Sequence, residues 1–159
     1  MRSLAGLLCA LTLSACSMGA GTPQKGTARV ALNLTTETGS QLATVTLNAA
    51  NAAELHQLAC RVEYNPQVLR FTGAQRGELV TASAVFFSTD KGAGYVPVAF
   101  TYHAGEKTPT NSGSVATLSF EVLDSNADTG VRLVSDEDYL IARDSIKRSI
   151  PVIISGVAR

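Results

Sequence analysis

Few side chains in this chain are able to do chemistry, and their spacing limits what they can do. His56 and His103 are the only histidines, and neither has a His or Cys partner at metal-ligand spacing. No Gly-x-Ser-x-Gly elbow offers a nucleophilic serine. Glu54, Glu63, Glu78, Glu106 and Glu121 have the chemistry for paired acid and base work, but the sequence pairs no two of them. Asp124-x-Asn126-x-Asp128 has the opening spacing of a calcium loop. Such a loop needs Gly at its sixth position and Glu at its twelfth, and here those are Thr129 and Ser135, so a polar inter-strand turn is expected. Asp136-Glu137-Asp138 is an acidic run of the kind carried on solvated loops. The expectation is a chain that is not an enzyme, with no catalytic residue, no metal ligand and no cofactor.

The cysteines point elsewhere. Arg2 supplies a positive start, Leu4 to Leu13 is an apolar run too short to span a bilayer, and Leu13-Ser14-Ala15-Cys16 follows it. That tetrapeptide resembles the bacterial lipobox, in which the signal is cut before the Cys and the Cys receives lipid. The resemblance implies a signal peptide over 1–15, lipidation at Cys16 and attachment to the bacterial cell envelope. Each buried CH₂ contributes ~0.8 kcal/mol, so the two or three acyl chains of such lipoproteins anchor stably. Ser17 after the Cys resembles the sorting pattern for the outer membrane in a cell with two membranes. Residues 16–27, rich in Gly, Ser, Thr and Pro, are expected to be a flexible tether. With Cys9 removed and Cys16 acylated, Cys60 is the only free thiol. No disulfide framework is possible, and Cys60 is expected to be a small buried hydrophobe.

What remains, residues 28–159, is enough for one domain. Formal net charge of the full 159-residue chain is zero, so no long-range attraction draws it to nucleic acid or to an anionic surface.

Leu58 to Leu79 organises this domain. Leu58, Cys60, Val62 and Tyr64 point one way, and Ala59, Arg61 and Glu63 the other, the period of a strand with one buried face. Asn65-Pro66 breaks it, since proline lacks a backbone N–H and Asn suits turns. Val68, Leu69 and Phe71 resume the apolar run, with Gly73 and Gly77 expected to bracket the next turn. Upstream, Val30, Leu32 and Leu34 alternate in a first strand and Ala43, Val45 and Leu47 in a second, with 49–54 expected as a loop. Downstream, 79–84 is expected as a loop with one helical turn, and 85–87 as a short strand. Val96, Val98, Phe100 and Tyr102 alternate with Pro97 on the opposite face, which predicts an edge strand or a bulge. A polar loop over 103–114, a strong strand over 115–123, and short strands at Val131–Leu133, Tyr139–Ile141 and Ile150–Val157 complete the chain, with Gly156 marking a bulge. Many short strands and Gly-rich turns predict an all-β domain of antiparallel strands, a sandwich or barrel. Phe71, Phe100 and Phe120 are the expected aromatic core.

The organising stretch resembles the cohesin family, which shows a strand ending in Tyr-Asp-Pro, then Val-Leu, then Gly. Here these are Tyr64-Asn65-Pro66, Val68-Leu69 and Gly77. Residues 113–120, Gly-Ser-Val-Ala-Thr-Leu-Ser-Phe, are similar to the family's Gly-x-Leu-Ala-x-Ile-x-Phe strand, and Gly156-Val157 sits where cohesins close. The resemblance covers about residues 28–159. It implies a nine-stranded jelly-roll β-sandwich, shared with carbohydrate-binding modules, and protein binding, in cellulosomes to dockerins that carry calcium. Two positions depart from the pattern: Asn65 replaces Asp, and the outward residues before the corner include a bare Ala59. The candidate partner-binding residues are Gln57, Ala59, Arg61 and Glu63. The plain alternative for Arg61 and Glu63 is a solvated face with a weak cross-strand pair. The expected partner is a protein, dockerin-like or an envelope component. The alternative is a carbohydrate-binding module for polysaccharide, although Tyr95 and Tyr102, at odd spacing, cannot form one stacking platform.

Overall fold

A computed structural model of the chain describes residues 29–90, 92–106 and 110–158, with 156–158 described by backbone only. The signal, Cys16 and the tether lie outside the described residues. Ten strands form among those described: β1 (Val30–Thr38), β2 (Leu42–Ala50), β3 (Gln57–Glu63), β4 (Leu69–Arg76), β5 (Val85–Ser88), β6 (Tyr95–Thr101), β7 (Ser112–Val122), β8 (Arg132–Leu133), β9 (Ile141–Arg143) and β10 (Val152–Ala158).

They make two sheets, ordered β10-β1-β2-β7-β4 and β5-β6-β3-β8, with β9 also pairing β3. β8 pairs Val62 and Glu63, and β9 pairs Gln57 to Ala59, so the two share one position beside β3. Counted by position, the sandwich has nine strands. The inner faces meet through Leu32, Leu34, Val45, Leu47, Leu118 and Phe120 on one side and Leu58, Val62, Val96, Val98 and Phe100 on the other, all buried. Each such side chain contributes roughly 1.5–3 kcal/mol when fully buried, which supports a core without disulfides. Cys60 lies in this core, and burial pushes its thiol up to about 12, so it is inert.

The corner after β3 is built as its residue types require. Asn65 Oδ1 accepts the Gln67 N–H at 3.0 Å, closing an Asx turn, and the Asn65 carbonyl accepts from Val68 and Leu69. Tyr64 is buried against Phe120, ring centroids 5.1 Å apart, and its hydroxyl donates to Asp90 at 2.7 Å. Burial, then the Asp90 carboxylate, pushes the phenol's pKa upward.

Several expectations are corrected. β1 and β10 pair in parallel, so the sandwich is not wholly antiparallel. Gly73 sits inside β4 at a register shift rather than in a turn, and β4 runs on to Arg76. No helical turn forms over 79–84; Leu79 and Val80 are buried there, and the Tyr102 hydroxyl donates to the Leu79 carbonyl. β7 begins at Ser112, inside the expected loop. β6 is interior, between β5 and β3, despite Pro97. The reason is register. Tyr64 N–H donates to the Gly94 carbonyl and Tyr102 N–H to the His56 carbonyl, which makes the even-numbered residues of β6 the hydrogen-bonded partners of β3. Pro97, opposite Arg61, therefore turns its nitrogen toward β5, and β5 has ended at Ser88, opposite Val98. No ladder bond is lost. The register shift between Ile154 and Val157 places a bulge at Gly156, as expected.

Candidate functional site

All four residues singled out on β3 lie on the outer face of the β5-β6-β3-β9 layer, and all are partly exposed. Their neighbours follow from the register. Gln57 lies between Thr101 and Arg143, Ala59 between Ala99 and Ile141, and Glu63 between Tyr95 and Arg132. Because Phe87 pairs Ala99, one row across four strands reads Phe87, Ala99, Ala59, Ile141. It contains no polar side chain. Phe87 is 52% exposed and Val85, in the next row of β5, 54%.

Beside this row stands Arg61. Its guanidinium carbon is 4.1 Å from the Tyr95 ring centroid and 3.5 Å from that of Tyr139, so the cation packs against two aromatic rings. Tyr95 comes from β6, two residue pairs along from Pro97 and on the same face. Tyr139 comes from the segment that separates β8 from β9. There Val134 N–H donates to the Arg61 carbonyl, Asp138 N–H to Asp136 Oδ1 at 2.9 Å, and Tyr139 N–H to the Asp136 carbonyl. This turn leaves the sheet and returns Tyr139 over Arg61. The sequence places Tyr139 in a strand with Leu140 and Ile141; the structure puts it in the turn, with β9 starting at Ile141. The acidic Asp136-Glu137-Asp138 run signals that turn, but nothing local in the sequence signals which residue Tyr139 covers.

Arg61 and Glu63 do not pair. Glu63 forms its cross-strand ion pair with Arg132. Among the described residues no carboxylate pairs with Arg61. Arg61, Tyr95, Pro97, Ala99, Asp138, Tyr139 and Ile141 surround a shallow depression of about 180 Å³.

The other candidates are placed apart from this face. Tyr102 is buried on the opposite side of its strand from Tyr95, as the spacing predicts. His56 Nε2 is 3.2 Å from the His103 carbonyl oxygen, and its ring meets the Tyr102 ring edge-on. His103 N–H donates to Glu106 at 3.1 Å. The Ser83 hydroxyl and this N–H hold the Glu106 carboxyl below its ordinary range. Asp124 Oδ1 accepts from Asn126 N–H and Asp128 Oδ1 from Gly130 N–H, so both carboxylates close their own turns. Among the described residues no three His, Cys, Asp or Glu side chains are grouped to hold a metal.

A family model, the cohesin domain, matches residues 22–156. Among solved structures, the chain is similar to the sixth cohesin of scaffoldin B from Acetivibrio cellulolyticus, solved in complex with a Cel5 dockerin mutant. Identity is 18%, 79% of this chain and 94% of that one are covered, and the TM-score is 0.64. It is similar to a type II cohesin from Bacteroides cellulosolvens at 13% identity, covering 80% and 96%, TM-score 0.65. A non-cellulosomal cohesin from the archaeon Archaeoglobus fulgidus matches at 16% identity, covering 80% and 86%, TM-score 0.62. At these identities the structural likeness speaks for the fold. No curated protein matches the sequence.

Proposed function

Because the chain belongs to the cohesin-domain family, we propose that it is a non-catalytic module that binds a protein partner, dockerin-like or an envelope component, through the outer face of the β5-β6-β3-β9 layer. The observation that carries this is the uninterrupted apolar row of Phe87, Ala99, Ala59 and Ile141, with Phe87 half exposed. A solvated sheet face alternates toward polar side chains, and an apolar row left in water marks an interaction surface. Gln57, Arg61 and Glu63 frame the row and give the contact its polar part. The glycan alternative draws less support. Stacking on sugar rings needs free aromatic faces, and the facing sides of Tyr95 and Tyr139 are both taken by Arg61.

The test uses the full chain as bait in an envelope extract, beside Phe87→Asp. The substitution puts a charge on an exposed position and leaves the core untouched. A partner retained by the native chain is expected to be lost by about tenfold or more, the effect of removing one interface anchor. Equal retention by both baits rejects this face.

We further propose that Cys16 carries lipid and moors the module to the envelope, with the outer membrane as its site in a cell that has two. Support comes from the Leu13-Ser14-Ala15-Cys16 motif after a short apolar run. The native chain is expected in the detergent phase of a Triton X-114 partition, and Cys16→Ser in the aqueous phase. A native chain found in the aqueous phase rejects the anchor.

A further inference from the structure

The Arg61 guanidinium carbon lies over two aromatic rings, Tyr95 at 4.1 Å and Tyr139 at 3.5 Å from their centroids. Its N–H donors form a planar fork, the geometry that a partner's acceptor group engages. Among the described residues no carboxylate takes up that fork. Glu63, two residues along the strand, is occupied by Arg132, and Asp138 lines the same depression without forming an ion pair with Arg61. The two rings also hold the long side chain in place before any partner arrives, which removes part of the ordering entropy that binding would otherwise cost.

We propose that the Tyr95–Arg61–Tyr139 stack is the specificity element of this face and receives a carboxylate, an Asp or Glu side chain, from the protein partner. This rests on the protein-binding reading of the same face. A carboxylate matches the guanidinium fork with two parallel hydrogen bonds. A monoanion also matches the local charge. Among the described residues Arg61 is the cation that lines this depression, it has no carboxylate partner, and Asp138 and Glu63 beside it oppose a doubly charged phosphate. The apolar row next to the stack sets the neighbouring requirement, an apolar side chain flanking the acid, received by Phe87 and Ile141. Arg61 thus chooses the partner, and the row supplies buried area.

The probe is a phage-displayed library of random dodecapeptides panned on the full chain, with Arg61→Ala, Arg61→Lys and Phe87→Asp alongside. The native chain is expected to enrich peptides with Asp or Glu beside an apolar residue. The best synthetic peptide is expected to bind about 30-fold more weakly to Arg61→Ala, and equally so when its own acid is replaced by the amide. Both changes together are expected to weaken binding no further than either alone, because they remove one interaction. Arg61→Lys, which keeps the charge and loses the fork, is expected to fall well short of native affinity. The amide-for-acid change is made in the peptide, so it is read on a native fold. Peptides that depend on Phe87 but not on Arg61 overturn the carboxylate receptor and leave the protein-binding face standing. A pool that depends on neither, or no enriched pool, overturns both. Arg61-dependent binding of oligogalacturonate with no such peptide assigns the carboxylate to a glycan and overturns the proposal.

Discussion

Replacing Phe120 with alanine is expected to remove about 3–5 kcal/mol of folding stability, the range for deleting a fully buried aromatic ring. Domains of this size have only about 5–15 kcal/mol to lose. Phe120 is fully buried in β7 and sits at the centre of a ring cluster, 5.1 Å from Tyr64 and 5.6 Å from Phe71 by centroids. Tyr64 belongs to the corner that ends β3, and its hydroxyl is tied to Asp90 beyond β5. The cavity left by the phenyl ring would therefore open between one sheet and the corner that positions Arg61 in the other. Phe120→Leu, which refills much of the space, is expected to lose clearly less. Urea unfolding of the native chain and both variants reads the difference. A Phe120→Ala loss below about 1 kcal/mol would show that the ring is not central to the core.

Strand existence was legible in the sequence because one face of each long strand is buried, and burial writes a period of two. β1, β2, β3, β6 and β7 all carry it, and each inward residue named from alternation in β3 and β6 is buried. The features misread were those set by neighbours. Pro97 predicts an edge only if its missing N–H was needed, and that depends on where β5 stops. Gly73 looks like turn chemistry, but β7 runs alongside and extends β4 past it. The parallel pairing of β1 with β10 joins the two ends of the domain, and no local pattern encodes the direction of such a pair.

The candidate site divides in the same way. Its β3 half, Gln57, Ala59, Arg61 and Glu63, is legible because the residues are the polar-side complement of a buried strand face. Its other half, Phe87, Tyr95, Tyr139 and Ile141, comes from three separate segments that only the fold brings to β3. A bare Ala59 reads in the sequence as a weakness of the site. In the folded sheet it forms with Ala99 the low middle of an apolar row that ends in the larger Phe87 and Ile141, and a partner side chain is able to settle there. Likewise the sequence offers Arg61 and Glu63 a cross-strand partner without saying which, and the folded chain gives Glu63 to Arg132 and Arg61 to the aromatic rings.

Gly77→Ala is expected to be the most damaging glycine-to-alanine change among the described residues, although Gly77 is not in the left-handed backbone region. The cause is contact. A Cβ at position 77 would lie 2.2 Å from the Ser114 carbonyl oxygen and 2.3 Å from its carbon, well inside van der Waals distance. Neither side can move aside cheaply. Gly77 N–H donates to the Val115 carbonyl at 2.8 Å, Leu79 N–H to the Ser114 carbonyl at 2.9 Å and Glu78 N–H to the Ser114 hydroxyl at 3.1 Å. To admit one methyl group, the chain leaving β4 must separate from β7 and break these bonds together. Overpacking alone costs about 1–3 kcal/mol, and the buried Leu79 donor left unpaired adds about 1–3 kcal/mol, a large share of the stability of a domain this size. Gly73→Ala is the control within the same strand. Its Cβ would meet nothing within 4 Å and its backbone is not in the left-handed region, so its effect is expected to stay within about 0.5 kcal/mol. Urea midpoints of the two variants, measured side by side, separate the cases. Equal midpoints would mean that the approach of the β4 exit to Ser114 is not rigid, and that Gly77 serves only as a turn residue.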